Sequence, residues 1–315
     1  MQESAPPYGI LLMAYGTPNT LDDVEPYYTH IRGGRTPSPE ALENLRERYR
    51  LVGGRTALND VTFSVRDRLQ EQLDRAAPGR YRVYVGMKHW HPFIAETVAE
   101  IARDGIREVL AIVLAPHYAK MSVGAYRKYA EQALAELAEP FEFKLIERWH
   151  DHPGYRMLIG ERISAARERL PAELRSDARV LFSAHSLPEK ILSYGDPYPD
   201  ELRESAAGIA ELLGLPAWSF CYQSAGMTGE PWLGPDILDY LEVLHAEGVR
   251  AVISAPFGFV ADHLEVQWDI DTEAQQKVAE LGMHLVRIDM PNADPEFVDI
   301  IASLVATHVP VAPTH

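Results

Sequence analysis

The sequence has very little cysteine: Cys221 is the only one among 315 residues. One thiol forms no internal disulfide, and it cannot hold an iron–sulfur cluster or a cysteine-rich zinc site. Such sparing use of cysteine fits a reducing compartment, so we expect a cytoplasmic protein. We also expect no permanently bound cofactor, and in particular no iron–sulfur cluster.

Basic charge is also scarce, since 30 Lys and Arg stand against 46 Asp and Glu, a net charge of −16. Proteins that bind duplex nucleic acid normally carry a basic surplus or basic blocks, so nucleic acid is not a predicted partner. The same charge repels an anionic membrane surface. If the substrate is an anion, a few local basic side chains must overcome the field of the whole protein.

Long hydrophobic runs are missing as well. The longest uninterrupted apolar run, residues 109–116, has eight residues, whereas a bilayer-spanning helix needs about 20. No basic segment precedes the apolar run within residues 1–15, so we expect neither a signal peptide nor stable membrane insertion. The glycine motifs of dinucleotide-binding proteins, P-loop proteins and α/β-hydrolases do not occur either, which disfavours those functions.

What the sequence does have is a regular alternation of short apolar runs and amphipathic helical stretches. This alternation predicts an α/β fold of parallel sheets with helices on both faces. Eight strands are predicted in two sets of four, at residues 8–15, 81–87, 109–115, 141–148, 179–184, 218–223, 251–255 and 284–288. Helices are predicted at residues 94–103, 123–137, 155–169, 200–213 and 237–247.

The two halves resemble each other, because LLMAYGTP at residues 11–18 is echoed by LFSAHSLP at residues 181–188. We therefore expect two similar doubly wound, Rossmann-like domains, residues 1–150 and 151–292. A final helix at residues 293–308 is expected to pack back on the first domain. Ligands of open parallel sheets bind beyond the carboxyl ends of the strands, so we expect the sheets to face a central cleft that Tyr15 and His185 both enter.

His185 follows a predicted strand within SAHSLP, where a neutral imidazole can act as a base or bind a metal. The alternative is a structural histidine that bonds nearby backbone. Downstream, Glu265, Asp269 and Glu273 recur at every fourth residue and share one face of a helix. This carboxylate row suits hard cations or a proton relay, and the alternative is a solvated acidic face.

A third group is basic and aromatic, and in an acidic protein its arginines can bind carboxylates in a bidentate manner. It includes Arg32, Arg48, Tyr49, Tyr126 and the Lys88–His89 pair. The alternative for each arginine is an ordinary surface ion pair. The HWH and HDH triplets at residues 89–91 and 150–152 are further candidates for metal chelation, or they simply face solvent.

Together these motifs resemble the ferrochelatases, which insert ferrous iron into a porphyrin. The resemblance rests on SAHSLPEK at residues 183–190, FVADHLE at 259–265, DPYPDEL at 196–202, MAYGTP at 13–18, YYTHIRGGR at 27–35, GMKHWHPF at 86–93 and LAPHYAKMSVGAY at 114–126. It covers nearly the whole chain. The AYGTP motif, with Tyr15, resembles the motif of the ferrochelatase branch that uses coproporphyrin III. Coproporphyrin III is a porphyrin with four propionates.

The resemblance implies a role for each matching residue. His185 and Glu265 would bind Fe²⁺ and act in catalysis, with Asp269, Glu273 and His89 as a relay for protons or metal. The porphyrin would contact Tyr15, an axial ligand to the product iron, and five further side chains, Arg32, Arg48, Tyr49, Thr56 and Tyr126. Gly33 stands where the family often has a second arginine, and Thr56 where it often has serine.

The resulting expectation is a monomeric chelatase that uses Fe²⁺ as a substrate and converts coproporphyrin III to coproheme with release of two pyrrole protons. A transient transfer of the product to a coproheme decarboxylase is expected as well. The alternatives are a protoporphyrin IX ferrochelatase, a chelatase for another metal or tetrapyrrole, and a non-catalytic porphyrin or metal carrier. The proton acceptor stays open between His185 and the carboxylates.

Overall fold

The chain divides into two compact units in a computed structural model that describes residues 7–226 and 229–309. The first unit comprises Met1–Trp149 and Asn292–His315, and the second comprises His150–Pro291. Residues 1–6, on which part of the signal-peptide expectation rests, lie outside the described residues. Over the described ranges, no helix is both long enough and apolar enough to cross a membrane.

Within residues 7–226 and 229–309, eight strands and ten α-helices build the two units. The strands are β1 (Tyr8–Ala14), β2 (Tyr81–Met87), β3 (Glu108–Val113), β4 (Glu142–Ile146), β5 (Arg179–His185), β6 (Trp218–Gln223), β7 (Ala251–Ala255) and β8 (His284–Arg287). The helices are α1 (Val24–Ile31), α2 (Pro39–Leu51), α3 (Leu58–Ala76), α4 (Ile94–Arg103), α5 (Val123–Ala135), α6 (Pro153–Glu168), α7 (Tyr198–Leu212), α8 (Ile237–Ala246), α9 (Gln275–Glu280) and α10 (Pro295–His308).

Each unit contains one four-stranded parallel sheet, with strand order β2-β1-β3-β4 in the first and β6-β5-β7-β8 in the second. The first strand of each half lies inside its sheet and is buried almost throughout. A parallel strand covered by helices on both faces needs an apolar sequence, which explains the run YGILLMA in β1. The predicted α/β fold of two Rossmann-like sheets is confirmed, and every predicted strand is present with ends that differ by at most two residues.

The segment between β1 and β2 forms three helices that strand–helix alternation alone does not assign. The longest of them, α3, buries Val65, Leu69 and Leu73 at a spacing of three and four residues. Helix α10 packs on α3 within the first unit, where Gln72 Nε2 donates to Asp299 Oδ1 over 2.8 Å. These helices matter for function because α2 and α3 contact the residues that follow β1.

Helices cover both sheets and leave the ends of the strands to the loops. In the first unit, Leu11, Met13 and Val98 belong to the core between the sheet and helices α4 and α5. In the second unit, Leu181 and Ile270 belong to the core formed with α8 and α9. The chemistry-bearing residues predicted from the sequence lie at or after the carboxyl ends of β1, β2, β3, β5 and β7.

Candidate functional site

His185 and Glu265 form a polar pair at the carboxyl end of β5. The Nε2 atom of His185 lies 3.4 Å from Oε1 of Glu265, although 80 residues separate them in sequence. The other ring nitrogen, Nδ1, contacts the carbonyl oxygen of Ser186. Donation from Nδ1 to that carbonyl fixes the ring and directs Nε2 toward Glu265. The His185 side chain is 30% exposed and that of Glu265 is 41% exposed, so a small ion can reach both.

Two opposing effects set the charge of His185. Burial lowers its pKa, but the charge and hydrogen bond of Glu265, the Ser186 carbonyl and the charge of Asp269 raise the pKa to about 9. His185 is therefore protonated near pH 7 while no metal is bound. A metal ion at Nε2 must displace this proton, because only the neutral imidazole has a free lone pair.

The acidic row lies on a helix, but its geometry differs from the α-helix that the four-residue spacing assumed. Val266–Ala274 is a π-helix, in which hydrogen bonds span five residues and the turn is wider. Asp269 is buried, and the hydroxyl of Ser224 donates to its Oδ2 atom. Glu273 lies further along and contributes to raising the pKa of Asp236, for which burial is the main cause. Glu265 and Asp269 thus act on His185 electrostatically, whereas Glu273 acts on the start of α8.

The loop that delivers Glu265 is held from two sides. The His263 ring packs on Phe259 at 4.3 Å, and its Nδ1 accepts a hydrogen bond from Val266 N over 3.2 Å. These two contacts give His263 a structural role in the loop. Arg287 at the end of β8 contacts Asp262 of the loop at 3.1 Å and Asp271 of the π-helix at 2.8 Å. Sequence reasoning missed Arg287, because nothing in the local pattern marks it.

A second cluster lies in the first unit, beyond the ends of β1 and β2. The Lys88 ammonium sits 5.5 Å from the Tyr15 ring centroid and 5.4 Å from that of Tyr126. His89 packs on Tyr15 at 4.6 Å, and its Nδ1 lies 3.0 Å from Nδ1 of His30. The structure therefore brings together Tyr15, Tyr126 and His89, which the family resemblance placed at the porphyrin and the relay.

Burial makes this cluster unusual electrostatically. It lowers the pKa of Lys88 to about 8. For His89, burial together with the charges of Lys88 and His30 lowers the pKa to about 3, so that ring is neutral at physiological pH. The sequence indicates Lys88 only as part of a basic group, and its position directly after the strand β2 is the signal that distinguishes it.

The remaining predicted porphyrin contacts fall in different surroundings. Tyr49 and Thr56 are buried, and both hydroxyls contact Oγ1 of Thr17, at 2.9 Å and 3.3 Å. Arg32 is exposed at the end of α1 and stacks over the Tyr28 ring at 5.6 Å. Arg48 is half-buried on α2.

The histidine triplets show no chelating arrangement. His152 caps α6, accepting a hydrogen bond from Gly154 N at 3.1 Å. His150 contacts Glu201 through Nδ1 and Glu204 through Nε2, at 3.4 Å and 3.5 Å, so the two carboxylates lie on opposite sides of the ring. Across residues 7–226 and 229–309, no group of three or more His, Cys, Asp or Glu side chains is arranged to hold a metal. The His185–Glu265 pair offers one nitrogen and one carboxylate oxygen, a donor set that suits a metal ion with further positions open for a substrate.

The chain is similar to known proteins over nearly its whole length. The family model described as Ferrochelatase matches residues 7–309. A Herpetosiphon aurantiacus protein named Ferrochelatase is 54% identical over 94% of this chain and 97% of its own. The proteins named Coproporphyrin III ferrochelatase from Geobacillus kaustophilus and Bacillus subtilis are 44% and 42% identical, each over 94% of this chain and 94% and 96% of their own.

Solved structures support the fold. A structure of SirB from Bacillus subtilis with Fe³⁺ superposes with a TM-score of 0.53 at 11% identity, covering 95% of this chain and 94% of that one. CbiX, described as the terminal enzyme of siroheme biosynthesis in denitrifying bacteria, gives 0.54 at 13% identity, covering 96% and 100%. At such identities the likeness concerns architecture alone. The family model and the sequence relatives together establish that this chain belongs to the ferrochelatase family.

Proposed function

We propose that this chain inserts ferrous iron into coproporphyrin III and releases coproheme. The observation that carries the proposal is the His185–Glu265 pair, with 3.4 Å between Nε2 and Oε1 at the end of a buried strand. A nitrogen and a carboxylate oxygen on one side, with further positions open, suit Fe²⁺ that must be passed on rather than retained. Iron is thus a substrate, and the single buried Cys221 gives no basis for an iron–sulfur cofactor.

The chemistry requires one Fe²⁺ to replace two pyrrole protons. Because His185 is protonated at neutral pH, it loses its own proton when Nε2 binds the metal. We assign the pyrrole protons to the carboxylates of Glu265 and Asp269, whose charges act on His185. This assignment favours the carboxylates over His185 as the proton acceptors.

Two features favour coproporphyrin III as the proposed porphyrin: the positive charge of Lys88 and the presence of Tyr15. The Geobacillus and Bacillus relatives carry that substrate in their names, whereas the Herpetosiphon relative is named Ferrochelatase without a substrate. In a protein of net charge −16, the Lys88 ammonium between two tyrosine rings is a local site for anions. Four propionates gain more from such groups than the two of protoporphyrin IX. Tyr15 beside Lys88 is the proposed axial ligand of the product iron.

The decisive experiment is anaerobic Fe²⁺ insertion followed by absorbance, with coproporphyrin III and protoporphyrin IX in parallel. We expect many turnovers with coproporphyrin III and slow or no turnover with protoporphyrin IX. A preference for protoporphyrin IX would refute the proposed substrate. Saturation at one equivalent per chain would refute catalysis and indicate a carrier.

A pair of variants tests the metal site itself. His185→Ala is expected to abolish insertion while coproporphyrin III still binds, because only the metal ligand is lost. The matched control is His245→Ala, which removes an exposed imidazole on α8 of the same unit. Retained insertion by His185→Ala would refute the role of this pair.

Three further properties stay predictions: a cytoplasmic location, a monomeric state, and transfer of the product to a coproheme decarboxylase. The oligomeric state is tested by light scattering on the purified chain, where a mass near 35.3 kDa is expected. Transfer is tested by adding a coproheme decarboxylase to the product-loaded chain, and faster release of coproheme than into buffer is expected.

A further inference from the structure

The loop of residues 15–19, which carries Tyr15 away from β1, is held in place at several points. On one side, Lys88 N donates to Ala14 O over 2.9 Å and His89 N donates to Tyr15 O over 2.8 Å. Gly16 adopts a φ of 83°, and a Cβ there would lie 2.9 Å from the backbone nitrogen of Trp90. Backbone hydrogen bonds therefore hold the first half of this loop, and position 16 requires glycine because a Cβ would meet the backbone of Trp90.

In the second half of the loop, the Asn59 side chain pairs with the backbone of Thr17. Its Oδ1 accepts a hydrogen bond from Thr17 N over 3.1 Å, and its Nδ2 donates to Thr17 O over 2.7 Å. Nδ2 also donates to Oδ1 of Asn19 over 2.9 Å. The planar Asn59 amide pairs with both the N–H and the C=O of Thr17. It therefore fixes the orientation of the loop as well as the distance between the loop and α3.

Asn59 is not explained by the needs of its own helix. It lies in the first turn of α3, it is 6% exposed, and the N-cap position belongs to Ala57. Asparagine is a weak helix former because its side chain competes for backbone hydrogen bonds. Here the Asn59 side chain bonds the backbone of Thr17, which lies 42 residues earlier in the sequence.

Thr17 also contacts Tyr49 and Thr56, two residues that the family resemblance places at the porphyrin. Oγ1 of Thr17 lies 2.9 Å from the Tyr49 hydroxyl, and the Thr56 hydroxyl donates to it over 3.3 Å. Thr17, Tyr49, Thr56 and Asn59 are all buried. A displacement of Thr17 therefore moves both Tyr15, two residues before it, and the hydroxyl network behind it.

We propose that Asn59 is a positioning residue for the reaction: by pairing with both backbone groups of Thr17, it sets where the Tyr15 phenol stands relative to the porphyrin. The proposal rests on the proposed function, since it assigns Asn59 to the porphyrin side of that site. Asn59 acts through the loop, so its replacement changes catalysis without removing any group that touches the substrate. The site needs a side chain that accepts one hydrogen bond and donates to two acceptors, and the isosteric Asp carboxylate can only accept.

The test compares Asn59→Asp and Asn59→Ala with the matched control Thr62→Val. Thr62 is buried on the same helix, and its hydroxyl donates to Leu58 O over 2.7 Å without reaching the loop. For each variant we would measure kcat, KM for coproporphyrin III, and the absorption spectrum of the bound ferric product, with Tyr15→Phe as the spectral reference. Urea unfolding of each variant would report its stability.

The expected result is that Asn59→Asp raises KM and lowers kcat/KM by about 10- to 100-fold, the range for misplacing a reacting group by about 1 Å. Its product spectrum should shift toward that of Tyr15→Phe. Thr62→Val should keep the wild-type spectrum and KM even where its loss of stability is similar. An unchanged KM and spectrum in Asn59→Asp, or the same losses in Thr62→Val, would overturn the proposal.

Hydrogen exchange separates this proposal from the proposed function and needs no variant to fold. In the wild-type chain, the Thr17 amide should exchange as slowly as the amides of β1, because it is bonded to a buried side chain. Fast exchange at Thr17 would overturn the proposal whatever the enzyme's substrate is. A slow Thr17 amide in a chain that does not turn over coproporphyrin III would support the fixed loop and refute the function.

Discussion

Lys88→Met is expected to make the protein more stable and a worse binder of coproporphyrin III. In the part of the chain that the structure describes, the contacts of the Lys88 ammonium are two tyrosine rings, and no carboxylate pairs with it. Burial lowers its pKa from 10.5 to about 8, so the charged form is disfavoured in the folded state. Lys88 is nevertheless charged at pH 7, and its buried charge lowers the free energy of unfolding.

The magnitude follows from the pKa and the ring contacts. Moving the pKa from 10.5 to about 8 corresponds to about 3 kcal/mol, since each pH unit is worth about 1.4 kcal/mol. The two cation–π contacts offset about 1 to 2 kcal/mol of this cost. Lys88→Met should therefore raise the free energy of unfolding at pH 7 by about 1 to 2 kcal/mol, because methionine fills a similar volume without a charge.

The pH dependence has a definite sign. Between pH 8 and pH 10.5 the unfolded chain binds more protons at Lys88 than the folded chain does, so wild-type stability rises with pH across this window. The advantage of Lys88→Met should be largest below pH 8 and should shrink as pH increases toward 10.5. Comparison with the wild type at each pH cancels the titration of other groups.

The assay is urea unfolding followed by circular dichroism at pH 7 and pH 9.5, with coproporphyrin III affinity measured by fluorescence quenching. The matched control is Lys128→Met, an exposed lysine on α5, which should change neither stability nor affinity. An equal or lower unfolding free energy for Lys88→Met at pH 7 would refute the burial cost. Unchanged porphyrin affinity would refute the role of the ammonium in binding the substrate's carboxylates.

Three other changes test the remaining structural arguments. Glu265→Gln should lower the pKa of His185 from about 9, because the charge of Glu265 raises it and burial continues to lower it; proton NMR of the imidazole would show this, and a pKa that stays near 9 would contradict the pair. Gly16→Ala should destabilise the fold by about 1 to 3 kcal/mol in urea unfolding, since φ is positive and the new Cβ meets backbone; a neutral effect would mean that the loop adapts. Tyr155→Phe should cost about 1 to 3 kcal/mol, because the buried hydrogen bond from its hydroxyl to the Phe257 carbonyl is lost; a calorimetric scan without a lower Tm would contradict this.

Some of the candidate site follows from local sequence and some does not. His185 and Tyr15 each come directly after a buried apolar run, so their place at the carboxyl end of a strand is readable from the sequence. Glu265 is readable only as part of an acidic row, and the row by itself suggests an α-helix. The structure shows a π-helix instead, and it separates Asp269, which acts on His185, from Glu273, which acts on Asp236.

The sequence by itself determined the alternation of strands and helices and the ordered motifs of the ferrochelatase family. Each of these is local, since it depends on periodicity, composition or a short run of residues. Only the tertiary structure decided that Lys88 lies between Tyr15 and Tyr126 and that Asn59 pairs with Thr17. Contacts between segments that are tens of residues apart leave no periodic signal, because burial and hydrogen-bond partners are fixed only when the helices pack on the sheet.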